Sequence, residues 1–199
     1  MKLLNKFSKK DLIKIPNILC YIRFLLIPLF VILYIKAGSQ RDYLRAGMVV
    51  FISGMTDFLD GFIARKFQMI TDFGKLIDPL ADKLTQAALI FVMVLKIRWM
   101  FLLMILFVLM QVFLLIAGIV MLKKGTKLNG AKWFGKVSTS IFYAVMLVLI
   151  SVPTLEPSVT NILILTCGGF LLLSFSLYIK EYVDLYHGLG SESKRVISK

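Results

Sequence analysis

The sequence predicts an all-α integral membrane protein with six transmembrane helices. Hydrophobic residues make up 59% of the chain, well above the share in an ordinary soluble domain. Six segments come close to the roughly 20 mostly apolar residues that a helix needs to cross a bilayer. Lysines and arginines are concentrated in the connections on one side of these segments, as in a multi-pass membrane protein. The formal net charge of +13 therefore indicates a basic membrane face, and we expect no nucleic-acid partner.

Four of the six segments carry no acidic residue, and two contain aspartates. In chain order the segments begin at Ile18, Tyr43, Gly74, Trp99, Ser138 and Thr160. The first, fourth, fifth and sixth have the hydropathy expected of a membrane span. The second, "YLRAGMVVFISGMTDFLDGFIA", and the third, "GKLIDPLADKLTQAALIFVMVL", have a suitable length but carry acids in their adjoining halves. Acids are unfavourable in lipid, so their presence in these two spans needs an explanation.

The two ends of the chain are more polar than the spans. "FSKKDLIKIPNIL", which starts at Phe7, mixes lysines with apolar residues and fits either a short N-terminal interfacial helix or a plain basic flank. Pro16 separates this stretch from the first span. The last residues, "GLGSESKRVISK", are small and polar. We therefore predict a membrane domain over residues 1–187 and a disordered tail over residues 188–199.

The distribution of lysine and arginine predicts the orientation in the cell membrane. These residues are most frequent in the N-terminal arm, in the loop between spans four and five, and in the tail. The positive-inside rule places such segments on the cytoplasmic side. With six spans, both termini face the cytoplasm. The turn between spans two and three, "RKFQMITDF", then also faces the cytoplasm.

The aspartates of spans two and three are predicted to meet. Asp57 and Asp82 each lie roughly 12 Å from the cytoplasmic turn, at about 1.5 Å per residue. Asp57 and Asp60 share one helical stripe, and Asp78 and Asp82 follow the i, i+4 spacing of one face. Two acidic stripes at equal depth on adjacent antiparallel helices can face each other, so the sequence predicts one four-carboxylate site.

A cluster of carboxylates inside lipid needs positive charge between its members. Each unpaired charge there is unfavourable by at least about 2.5 kcal/mol. The stretch between residues 56 and 83 has no His or Cys, and hard oxygen ligands suit Mg²⁺, Mn²⁺ or Ca²⁺. Four aspartates can hold two divalent ions, which in turn can bind a phosphate or diphosphate. For Asp72, which lies in the turn, a simple capping role is enough.

The spacing of these residues resembles the signature of the CDP-alcohol phosphatidyltransferases. That signature is Asp-x2-Asp-Gly-x2-Ala-Arg-x8-Gly-x3-Asp-x3-Asp. It is matched without departure at Asp57, Asp60, Gly61, Ala64, Arg65, Gly74, Asp78 and Asp82. The resemblance implies a membrane enzyme that uses two Mg²⁺ or Mn²⁺ ions. Such an enzyme moves a phosphatidyl group from CDP-diacylglycerol to an alcohol and releases CMP.

The resemblance also implies a role for each matching residue. All four aspartates would hold the metal ions, and Asp82 would in addition act as general base on the acceptor hydroxyl. Arg65 would contact phosphate, while Gly61, Ala64 and Gly74 would make room for the CMP part of the substrate. The family resemblance further implies a homodimer.

The acceptor alcohol stays open between glycerol 3-phosphate, phosphatidylglycerol and other alcohols such as inositol phosphate or serine. The opening "IPNILCYIRFLLIP" resembles family members that use glycerol 3-phosphate. "GKVST", residues 135–139, is similar to the same members but has Ser138 in place of a second lysine, and it also resembles members whose acceptor is phosphatidylglycerol. The fourth span has Gln111 where the first group has an arginine–acid pair. Candidate contacts for an acceptor phosphate are Lys132, Lys136, Arg23 and Arg41, although both lysines also fit the positive-inside rule alone.

Two further functions fit some of these features. Acids inside a membrane also mark ion transporters and proton relays. A transport path would need polar groups continuing to the outer face, whereas the outer halves of spans two and three, "AGMVVFISG" and "AALIFVMVL", offer almost none. A lipid-binding scaffold without catalysis is the other alternative, and the complete set of four acids argues against it.

Overall fold

The protein is a multi-pass helical membrane protein. The computed structural model describes residues 13–71, 73–123 and 132–197, and these residues form helices and no strand. In chain order the helices are α1 Ile15–Lys36, α2 Gln40–Lys66, α3 Gly74–Val94, α4 Met100–Lys123, α5 Trp133–Ser151 and α6 Pro157–Ile197. Each predicted span falls on one of these helices, so the predicted fold class is confirmed.

Five of the six helices are long and apolar enough to cross a membrane by length and composition alone. The exception is α3, which has 21 residues but carries charged side chains along its first half. The outer faces of the helices are apolar: Leu25, Leu115 and Leu165 are 71%, 65% and 73% exposed. Many large apolar side chains exposed in this way indicate contact with lipid rather than water.

The described residues form two compact units. The first contains α1, α2, α3 and the C-terminal end of α5, and the second contains α4, the rest of α5 and α6. In the first unit α1 packs against both α2 and α3, and the Tyr34 hydroxyl donates to Met93 Sδ at 3.1 Å. In the second unit α4 packs against α6.

The connection between α2 and α3 fixes where the acidic stripes begin. Gln68 has a φ of 53°, in the left-handed region. The Met69 N–H donates to the Ala64 carbonyl at 3.0 Å. This geometry is typical of an α-helix that ends at a residue in the left-handed conformation. Thr71 lies three residues before the start of α3, and its Oγ1 accepts a hydrogen bond from the Gly74 N–H at 2.8 Å. Asn17 Nδ2 of α1 donates to the same Oγ1 at 3.2 Å. The turn is therefore hydrogen-bonded to α1 as well as to α2 and α3.

Two predictions concern the ends of the chain. Of the stretch predicted as an interfacial helix or a basic flank, residues 7–12 lie outside the described residues, and residues 15–19 form the first turns of α1. At the other end, the backbone of α6 is helical to Ile197, through most of the segment that composition assigned to a disordered tail. Once a helix is formed, each added residue gains one hydrogen bond, so a helix leaving the membrane extends readily. The division of the chain at residue 187 stays a prediction.

Candidate functional site

A polar stripe on α1 faces the aspartate-bearing helices. Asn17, Cys20 and Arg23 are spaced three residues apart on an otherwise apolar helix, and they are 2%, 2% and 1% exposed. Side chains at this spacing lie on one face of a helix. The stripe brings a thiol and a guanidinium to the carboxylates of α2 and α3. The spacing is the sequence signal for this face, and of the three residues only Arg23 is a site candidate from the sequence.

Arg23 joins three of the four predicted aspartates. Its Nη1 lies 2.7 Å from Asp57 Oδ1 and 3.4 Å from Asp78 Oδ1. Its Nη2 lies 2.5 Å from Asp60 Oδ2. Asp60 is 3% exposed, whereas the side chains of Asp57 and Asp78 are 46% and 44% exposed. Asp60 is therefore the buried centre of the cluster, and the other two carboxylates stay open to an incoming group.

Cys20 extends the cluster with a sulfur atom. Its Sγ lies 3.6 Å from Asp60 Oδ2 and 3.5 Å from Asp78 Oδ1. One ligand atom from each of these three residues falls within 4.8 Å of the others. This separation permits all three atoms to contact one metal ion. Two of the three donors are carboxylates, and hard oxygen donors of this kind fit Mg²⁺ or Mn²⁺.

Asp82 lies one turn further along α3 and has different partners. Its Oδ2 accepts a hydrogen bond from Gln86 Nε2 at 3.1 Å and lies 4.0 Å from Lys83 Nζ. Asp57 of α2 and Asp78 of α3 share Arg23 Nη1, at 2.7 and 3.4 Å, so the two acidic stripes lie near each other there. Gln86 is 3% exposed and fixes the Asp82 carboxylate. The i, i+4 spacing of Asp82 and Gln86 is the sequence signal that could have identified this pair.

An open cavity beside the cluster is lined by the residues predicted to bind the nucleotide part of the substrate. Its volume is about 180 Å³, and its lining includes Asp60, Gly61, Ala64, Arg65, Gly74 and Asp78. Small-molecule sites are usually about 300–1,000 Å³, so only part of a nucleotide fits inside this cavity. The structure thus places the small residues, one arginine and two aspartates around one space.

Gly61 and Gly74 differ in what surrounds them. A Cβ on Gly74 would lie 2.7 Å from Asn17 Oδ1 and 2.9 Å from Thr71 Oγ1, so the missing side chain is required by the packing of α1 against the turn. A Cβ on Gly61 would meet only the Arg65 guanidinium, at 3.7 Å or more. Gly61 therefore leaves space toward the cavity, whereas Gly74 is filled by its neighbours.

We expect opposite effects on stability from the two alanine substitutions. Gly74→Ala overpacks the turn and should lower the free energy of unfolding by about 1–3 kcal/mol. Gly61→Ala meets no close contact and raises helix propensity, so stability should be unchanged or up to about 1 kcal/mol higher. Thermal unfolding of the two variants in detergent is the measurement. A larger loss of stability for Gly61→Ala than for Gly74→Ala would contradict this description of the packing.

The remaining predicted acceptor contacts are Arg41, in the first unit, and Lys132 and Lys136, in the second. Arg41 is exposed in the first turn of α2, about 24 Å along the helix axis from Asp57 at about 1.5 Å per residue. The structure therefore does not bring Arg41 to the aspartates. Lys132 and Lys136 belong to the second unit, where Lys132 Nζ lies 2.6 Å from Glu181 Oε1 and Lys136 is exposed. Asp72 lies outside the described residues.

Comparison with known proteins gives a family match over most of the chain. The family described as CDP-alcohol phosphatidyltransferase matches residues 13–173. A CDP-diacylglycerol–glycerol-3-phosphate 3-phosphatidyltransferase of Rickettsia typhi is 43% identical over 70 residues, which are 35% of this chain and 39% of the relative. The enzyme of the same name from Pseudomonas fluorescens is 39% identical over 80 residues, 40% of each chain.

A relative with a different name also matches. A cardiolipin synthase (CMP-forming) / mitochondrial hydrolase fusion protein of Schizosaccharomyces pombe is 41% identical over 76 residues, which are 38% of this chain and 12% of the relative. The chain therefore spans at most about two fifths of the length of these three relatives.

Proposed function

The chain belongs to the CDP-alcohol phosphatidyltransferase family, and we propose that it transfers the phosphatidyl group of CDP-diacylglycerol to glycerol 3-phosphate with release of CMP. One observation carries the proposal: carboxylates of α2 and α3 converge beside a cavity lined by Gly61, Ala64, Arg65 and Gly74. This reaction needs two parts. One is a set of acids that binds metal ions, and the other is a set of small residues that leaves room for a nucleotide.

Two Mg²⁺ or Mn²⁺ ions are the proposed cofactors. Asp57, Asp60, Asp78 and Asp82 would hold them, and bound divalent ions supply charge neutralisation of the diphosphate and of the departing CMP. The exposed sides of Asp57 and Asp78 suit contact with an entering substrate. Arg65, on the cavity wall, adds a fixed positive charge that can bind a phosphate oxygen.

The proposed chemical step is a displacement at phosphorus. The acceptor hydroxyl oxygen attacks the phosphorus that bears diacylglycerol, and the bond to the oxygen of CMP breaks. Asp82 takes the proton of the attacking hydroxyl, which is the role of a positioned general base. The Gln86 amide donates to Asp82 Oδ2 at 3.1 Å and thereby directs the carboxylate. CMP keeps the bond electrons and leaves as an anion.

Glycerol 3-phosphate is the proposed acceptor, with phosphatidylglycerol as the alternative. Relatives named for glycerol-3-phosphate transfer support the first, and the relative named as a cardiolipin synthase supports the second. The exposed Lys136 is the proposed contact for the phosphate of the acceptor. Lys132 can serve only if its ammonium leaves Glu181.

The proposed orientation in the cell membrane follows from the side on which the substrates enter. With the α2–α3 turn on the cytoplasmic side, a nucleotide and a polar acceptor reach the aspartates from the cytoplasm while the lipid tails stay in the bilayer. Both chain termini then also face the cytoplasm, in agreement with the excess of Lys and Arg at these ends. We further propose that the enzyme is a homodimer, as the family resemblance implies.

An acceptor competition tests the proposed substrate. Purified full-length protein is given CDP-diacylglycerol, Mg²⁺ and equal amounts of glycerol 3-phosphate and phosphatidylglycerol, and the lipid products are separated. We expect phosphatidylglycerophosphate as the main product. Cardiolipin as the main product would replace glycerol 3-phosphate by phosphatidylglycerol, and ion flux without CMP release would favour a transporter.

A further inference from the structure

Arg23 is the feature of the site that the proposed chemistry does not use. It is 1% exposed, lies on a membrane-spanning helix, and makes ion pairs with carboxylates from both α2 and α3. An acceptor-phosphate contact by Arg23 would first require its guanidinium to leave these carboxylates. The geometry therefore points to a role that concerns the aspartates themselves.

The oxygen atoms that Arg23 contacts are also candidate metal ligands. Asp60 Oδ2 and Asp78 Oδ1 lie next to both the guanidinium and Cys20 Sγ. A divalent ion bound to these oxygens would lie only a few ångströms from the guanidinium. Arginine cannot release its proton in a protein, and like charges repel strongly where water is scarce. The guanidinium and a divalent metal ion would thus compete for the same carboxylates.

The guanidinium is incompletely held where it lies. Its Nε is buried and has no hydrogen-bond partner among the described residues, although buried donors are nearly always paired. Only the two terminal nitrogens bind the carboxylates. The guanidinium is therefore held by three carboxylate contacts of its terminal nitrogens, and a divalent ion bound to the same carboxylates would have to replace these contacts.

We propose that Arg23 is the built-in counter-ion of the aspartate cluster and that divalent metal ions displace it. Arg23 holds the carboxylates of Asp57, Asp60 and Asp78 together in the membrane before metal arrives, and it thereby lowers the metal affinity of the folded protein. The inference rests on the metal site of the proposed function. It adds that a cationic side chain of α1 sets the metal concentration at which that site fills.

Binding of Mn²⁺ to the metal-stripped, full-length protein in detergent tests this role without any turnover. Free Mn²⁺ is measured by electron paramagnetic resonance during a titration. Arg23→Gln removes the competing charge, so Mn²⁺ should bind about 10-fold more tightly than in the wild type, which corresponds to about 1.4 kcal/mol. In excess chelator the same variant should unfold at a temperature several degrees lower, because three carboxylates lose their counter-ion.

Two further variants make the result unambiguous. Arg45→Gln makes the same charge change in an exposed pair with Asp42, at the opposite end of α2, and should leave Mn²⁺ affinity unchanged. Arg23→Lys keeps a positive charge but places it as a single point, so the protein should fold and bind Mn²⁺ with an affinity between those of the wild type and Arg23→Gln.

Three results would overturn the proposal or its premise. Equal or weaker Mn²⁺ binding by Arg23→Gln would show that Arg23 supports the metal site instead of competing with metal. If Arg23→Gln does not fold, equal or weaker binding by Arg23→Lys has the same meaning. If the wild type does not bind Mn²⁺ at all, then the protein has no such metal site, and the proposed metal-dependent mechanism is wrong.

Discussion

Asp60→Asn should lower metal-dependent CMP release about 10³-fold or more. A catalytic metal ion contributes several kcal/mol to stabilising the transition state, and each 1.36 kcal/mol is a factor of ten in rate. Asp60 is the buried aspartate of the cluster, at 3% exposure, and it contacts both Arg23 and Cys20. Asparagine keeps the size and can still accept from Arg23, so the variant should fold.

The control for this substitution is Asp42→Asn. Asp42 lies on the same helix but at its far end, where it pairs with Arg45 and accepts hydrogen bonds from Ser39. CMP release by this variant should equal that of the wild type. Asp57→Asn and Asp78→Asn should resemble Asp60→Asn. Near-normal turnover in all three cluster variants would place the active site elsewhere.

Asp82→Asn should lower turnover by about 10² to 10⁴, the usual contribution of a positioned general base. Asparagine cannot take a proton, but it keeps the size and polarity needed beside Gln86. Asp82 lies apart from the Arg23 ion pairs, with its carboxylate bound to Gln86 Nε2. Loss of an interaction made only in the transition state lowers the rate without raising KM. CDP-diacylglycerol should therefore still bind.

A metal titration of CMP release separates this role from that of a metal ligand. In Asp57→Asn the metal requirement should rise, and added Mg²⁺ should restore part of the activity. In Asp82→Asn excess Mg²⁺ should restore little. If excess Mg²⁺ returns Asp82→Asn to wild-type turnover, then Asp82 is a ligand only, and the base is another residue or a metal-bound hydroxide.

The sequence predicted the helices and the meeting of the two acidic stripes because both depend on period and length. Apolar runs near 20 residues define the spans, and the helical repeat places Asp78 and Asp82 on one face of α3. The match to the family signature supplied the cavity-lining residues. The meeting of the stripes also depends on the short connection between the two spans, which makes them antiparallel neighbours in the chain.

The part that could not be predicted depends on the packing of α1. The polar spacing in α1 marks one face of the helix but does not identify the helices that this face contacts, so the meeting of Arg23 with three carboxylates appears only in the folded unit. The same is true of Gly74, whose missing side chain is filled by Asn17 and Thr71. The family resemblance predicts that Gly74 makes room for the substrate, and its neighbours in the structure show a packing role as well.

The most direct test of a metal-dependent phosphatidyltransferase site is product formation by the purified protein. With CDP-diacylglycerol, glycerol 3-phosphate and Mg²⁺, we expect CMP and phosphatidylglycerophosphate in equal amounts. Excess chelator should stop both, and added Mg²⁺ should restore both. Undiminished CMP release in excess chelator, or no lipid product from glycerol 3-phosphate or any other alcohol, would contradict this account.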